Sequence, residues 1–197
     1  MNRCIFRPWI GAQYEKGFAG RKVLVLGESF YSDGLSTPSE DVTVEIISDL
    51  LDEDSEFEPY KNTFTKFAKA MTGLQQLTSA DKRRFWESVA FYDYVQVPLS
   101  AARTSPSKED FSKSESAFFE VLEDLKPDIC IAWGSRLYNN LPKGGLQGPD
   151  FKAPDGRWIE SWTYFLSDGG EVLVFPIAHP SSAFSPAYWN EVLSLVI

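Results

Sequence analysis

The chain has 197 residues, with 28 acidic and 19 basic side chains for a net charge of −9, and is 43% apolar and 15% aromatic. That length and composition suit a single globular domain spanning 1–197 with a full core, and exclude a disordered or low-complexity chain. Two cysteines (Cys4 and Cys130) and a lone histidine (His179) exclude a disulfide framework, a four-cysteine cluster and a multi-histidine metal centre.

The N-terminal segment lacks the apolar core of a signal peptide, and no apolar run approaches the roughly 20 residues that span a bilayer. A cytoplasmic protein without a membrane partner is expected. Val23–Leu26, short and apolar and closed by Gly27, reads as a buried strand. The stretch that follows, Ser39 to Glu58, holds nine acidic residues and no basic one. Within it Val42, Ile46, Ile47, Leu50 and Leu51 have helical spacing, as do Phe64, Phe67, Ala68 and Met71 beyond it. From Pro59 to Lys108 basic residues predominate, so a local basic face is possible despite the net charge, with a solvated helix surface as the plainer alternative for Lys82, Arg83 and Arg84.

Ser79 is a candidate cap for a short helix. Val89–Val97 is aromatic and β-branched and stops at Pro98, which predicts a strand. Ser107 caps a long helix with Phe111, Phe118, Val121, Leu122 and Leu125 inward, ended by Pro127. "DICIAWG" is the next buried strand, followed by a short helix near "SRLYNNL". "RWIESWTYFL" reads as a less regular strand and "EVLVFPIAHP" as another, and Ser185-Pro186 opens the final helix. Apolar strands alternating with amphipathic helices predict a three-layer α/β/α fold with a mostly parallel central sheet of about four strands. Ligands bind such sheets at the carboxyl ends of the strands. Four segments end there: "GESFY", "DYVQ", "WGSR" and "AHPSSAF".

The order of three of these segments resembles the uracil-DNA glycosylase superfamily. That family carries a motif of the type "GQDPYH" after its first strand, an asparagine ending a middle strand, and "HPS" after its last. Here "VLVLGESFY", "VAFYDYVQV" and "AHPSSAF" stand in those places, covering most of the chain. The resemblance implies a glycosylase-like fold and a monofunctional, cofactor-free DNA glycosylase, a monomer acting on single- or double-stranded DNA in base-excision repair or in defence against modified phage DNA. The flipped pyrimidine would leave as an anion, with His179 donating to its O2 and a carboxylate positioning water.

The first motif departs from the family: Ser29 replaces the usual aspartate, leaving Glu28 as the candidate for the water. Tyr31 matches the tyrosine that crowds the base's 5-position, and Phe64 is a candidate stacking platform. Asp93 occupies the asparagine's place. Its carboxylate would accept from the amino group of a cytosine-type base, plain or modified, and disfavour uracil. Ser29, Ser181, Ser182 and Phe184 are candidate DNA contacts, Phe184 as a wedge. Two alternatives stay open. One is an SGNH-type esterase with Ser29 as nucleophile, although Pro176 stands where its aspartate belongs. The other is a noncatalytic DNA-binding module.

Overall fold

A computed structural model describes residues 4–30, 38–99 and 104–197. Its centre is four parallel strands, β2 (Val23–Gly27), β3 (Ala90–Asp93), β4 (Ile129–Trp133) and β9 (Glu171–Ile177), ordered β3-β2-β4-β9. All of β2, β3 and β4 is buried, as expected for near-continuous apolar strands covered on both faces. The expectation of about four strands describes this parallel part only. Short antiparallel strands extend it to seven: β1 (Trp9–Ile10) beside β3, then β8 (Trp162–Phe165) beside β9 and β5 (Leu146–Gln147) beside β8.

Alternation along the strands sorts their side chains into two cores. Val23, Val25, Phe91, Ile131 and Phe175 meet α1 (Val42–Leu51), α2 (Pro59–Thr72), α3 (Ser79–Trp86) and α6 (Pro186–Leu193). Leu24, Leu26, Tyr92, Cys130 and Val174 meet α4 (Lys108–Leu125) and Leu137 of α5 (Ser135–Asn140). The result is the three-layer α/β/α arrangement. No helix among the described residues is long and apolar enough to cross a membrane.

Local signals explain most boundaries. Ser107 and Asp110 form a reciprocal capping box at the start of α4, and Ser185 accepts from the Tyr188 N–H with Pro186 in the first turn of α6. Two expectations shift. Thr78, not Ser79, caps α3, because its hydroxyl pairs with the Asp81 N–H while the Asp81 carboxylate accepts from Thr78. The predicted strand Val89–Val97 ends at Asp93, because Tyr94 and Val95 turn to donate their N–H groups to the Gly27 and Glu28 carbonyls. "RWIESWTYFL" divides between β8 and β7 (Trp158–Ile159), which forms a separate hairpin with β6 (Phe151–Lys152).

Candidate active site at the strand ends

The register fixes the site. Gly27 pairs with Asp93, Leu26 with Ala132 and Trp133 with Ile177, so β2, β3, β4 and β9 all end at one edge. Glu28, Asp93, Arg136 and His179 follow from those ends, and each lies close enough to another for charge to couple them.

Asp93 is 5% exposed, and its carboxylate accepts no hydrogen bond from any described residue. Burial, and then the neighbouring charge of Glu28, push its pKa up to about 7. Its Oδ1 fills the space where a side chain at residue 27 would begin, 2.2 Å from an ideal Cβ. Glycine at 27 is therefore a condition for the carboxyl to reach the site. A buried, unpaired carboxyl costs stability, and such costs are found where chemistry or recognition needs the group.

Glu28, whose side chain is 11% exposed, is forked by Arg136. The guanidinium Nε donates to both carboxylate oxygens at 2.7 and 3.0 Å, Nη2 donates to Oε2, and Nη1 donates to Ser105 Oγ at 2.5 Å. This two-pronged pairing fixes the carboxylate's plane. Arg136 sits in the first turn of α5 just past β4, after Gly134, whose φ of +95° requires glycine.

His179 leaves the end of β9 half-buried, its ring edge-on to Trp133 at 5.8 Å. The Ser181 N–H donates to Nδ1 at 3.2 Å, and Ser181 Oγ lies 2.7 Å from the same nitrogen. A backbone N–H can only donate, so Nδ1 must be an acceptor and the neutral ring carries its proton on Nε2. Burial, the largest influence, holds the His179 pKa below its ordinary value, and Arg136 adds to the shift against the opposing pull of Glu28. At neutral pH the ring is thus a fixed Nε2–H donor rather than a proton acceptor. That suits stabilising a developing anion. It does not suit activating Ser29, which makes no hydrogen bond to His179 among the described residues.

The other expected site residues take different places. Ser181 holds the imidazole, and Ser182 turns both its N–H and its hydroxyl onto the His179 carbonyl. Ser29 is half-buried beside Glu28. Phe64 is a core ring, 7% exposed and packed 5.1 Å from Phe91 and 5.3 Å from Trp133, so it supports the site's floor from below. Phe184 is 7% exposed and stacked on Trp189, and would have to leave that packing to act as a wedge. Tyr31 lies outside the described residues.

Three members of the expected basic face have partners within the chain. Lys61 pairs with Asp49, Arg83 donates to the Leu51 carbonyl, and Arg84 pairs with Asp81. Sequence reasoning assigned no role to Arg136. Its only signal was an arginine immediately after a strand-end glycine and serine, in a segment already singled out as a strand end. No family model matches the sequence, and no curated protein matches it.

Proposed function

We propose that this chain is a divergent member of the uracil-DNA glycosylase superfamily, a monofunctional DNA glycosylase that hydrolyses the N-glycosidic bond of a flipped-out pyrimidine. The observation that carries this reading is the tautomer of His179. An Nε2–H donor, locked by Ser181 at the end of the last parallel strand, meets the need of a leaving base whose negative charge gathers on O2. Asp93, buried at the end of β3 with Glu28 between it and His179 in the strand order, reads the base's other edge. Ionised, its carboxylate accepts from a cytosine-type amino group; protonated, it can donate to uracil O4. A group poised near pH 7 makes the preference pH-dependent.

Glu28 positions the water that attacks C1′. Bound to Arg136 it is a poor acceptor, so an incoming phosphodiester that draws Arg136 away frees the carboxylate at the moment DNA arrives. That same pairing favours one second reading, a module that binds DNA without cutting it, in which the fork never opens. The protein would act as a cofactor-free monomer on DNA, in repair or in defence against modified DNA.

The test is a panel of single- and double-stranded oligonucleotides carrying uracil, cytosine or 5-substituted pyrimidines, each treated with alkali after incubation. Strand breaks at the variable base support a glycosylase. Binding with no abasic product on any of them favours the module.

A further inference from the structure

The hairpin of β6 and β7 carries an aromatic side chain that the fold does not use. Phe151 pairs with Ile159 and Lys152 with Trp158, so alternation puts the first pair on one face and the second on the other. The inner face is anchored: Phe151 packs edge-on to Phe175 at 5.4 Å, Ala153 is buried, and Ile159 rests on the same core. The outer face presents Trp158, 65% exposed, with the Lys152 ammonium 5.9 Å from its ring centre.

Two independent features place this hairpin on the site's rim. In the antiparallel β8/β9 register Trp162 pairs with Val174 and Phe165 with Glu171, so the chain preceding Trp162 heads toward the end where β9 delivers His179. The hairpin is also bound to the helix that follows the His179 loop. Arg157 Nη2 donates to Tyr188 Oη at 3.0 Å with its guanidinium 5.7 Å from the Tyr188 ring centre, and the Tyr188 hydroxyl donates to Asp155 at 3.1 Å. Tyr188 meets Trp189, and Trp189 stacks on Phe184 of the loop itself.

We propose that Trp158 and Lys152 form a stacking platform for an unpaired base of single-stranded DNA flanking the flipped nucleotide, with Lys152 on the adjacent phosphate. This rests on the reading above that the chain acts on DNA. An aromatic face beside a cation is what single-stranded binding uses, because every base offers a π-face and every nucleotide a charge. Trp158 stands alone among exposed polar residues (Lys152, Asp155, Arg157, Glu160) rather than within a broad apolar patch, which fits one base better than a protein surface. The wedge expected at Phe184 is occupied in its own packing, so the hairpin supplies the exposed ring that the loop does not.

Fluorescence anisotropy with a short fluorescein-labelled oligothymidylate tests this on the full chain, using wild type, Trp158→Ala, Trp158→Phe and Lys152→Ala, each checked for fold by circular dichroism. Trp158→Ala should weaken binding by roughly five- to a hundredfold, the range one stacked base supplies, while Trp158→Phe retains most of the affinity. Lys152→Ala should flatten the dependence of log Kd on log salt by about 0.7. Wild-type affinity in Trp158→Ala overturns the proposal, as does a wild type that does not bind, or a Trp158→Ala effect on sedimentation with none on affinity. Base release is measured on the same preparations. Affinity lost with no base ever released leaves the platform standing and removes the glycosylase; base released with affinity unchanged does the reverse.

Discussion

Replacing Asp93 with asparagine isolates the energetic consequence of burying a carboxyl at the strand ends. The folded pKa of about 7 lies above the ordinary 3.8, so the fold binds this proton more tightly than the unfolded chain does. The contribution is therefore fully favourable below pH 3.8, declines as pH rises, and is lost above about 7. At 1.36 kcal/mol for each pH unit between the two values, ionised Asp93 costs the fold about 4 kcal/mol at pH 8.5. At pH 5.5 the folded group is still protonated and the cost is about 2 kcal/mol. An asparagine of nearly the same shape has a burial cost of its own, but that cost does not vary with pH. The stability of Asp93→Asn relative to wild type should therefore rise by about 2 kcal/mol from pH 5.5 to 8.5, or about 4–8 °C in relative Tm for a domain of this size. Urea unfolding followed by tryptophan fluorescence at the two pH values measures it. A difference that stays constant between them would refute the reasoning, because the carboxyl would then not be held protonated by its surroundings.

Further consequences can be checked separately. Because the chain has one histidine, a nitrogen-15 imidazole spectrum reports His179 alone, and should show Nε2 protonated and Nδ1 bare at pH 7.5. Ser181→Ala removes the hydroxyl contact to Nδ1 but leaves the backbone one, and should lower turnover about fivefold, as loss of one hydrogen bond of about 1 kcal/mol does. Arg136→Gln should weaken DNA binding but raise the single-turnover rate at saturating DNA, because Glu28 is then free before DNA arrives; an unchanged saturated rate would show that the fork plays no gating part. Substituting Lys82, Arg83 and Arg84 together by alanine should leave the salt dependence of oligonucleotide binding unaltered, since Arg83 and Arg84 already serve contacts within the chain; a flattened slope would place DNA along α3.

The buried strands were legible because a five-residue apolar run closed by glycine or tryptophan has few other uses, as at Val23–Gly27 and Ile129–Trp133. The caps at Ser107 and Ser185 were equally readable, since both residues lie just before a helical pattern. The edge strands were not. Pairs such as Trp9–Ile10 and Leu146–Gln147 are too short to carry a period, and exist only because a neighbouring strand offers its hydrogen bonds. At the site, strand-end logic selected the segments carrying Glu28, Asp93 and His179, and the structure brings those residues together. What the linear pattern could not convey was partnership: the Arg136–Glu28 fork spans 108 positions. Nor could helical spacing tell a core ring from a base platform at Phe64, whose burial depends on Phe91 and Trp133 arriving from other strands.

The central claim is that the Nε2–H of His179 stabilises a departing base, and a single-turnover comparison tests it most directly. Wild type, His179→Ala and Ser29→Ala are mixed in excess with the best oligonucleotide of the panel, and free base is quantified with time while binding is followed by anisotropy. The account predicts that His179→Ala binds as wild type does and releases base at least about a hundredfold more slowly, the loss typical of a missing oxyanion donor, whereas Ser29→Ala keeps most of the rate. Equal rates for wild type and His179→Ala, or a rate abolished only in Ser29→Ala, would contradict it.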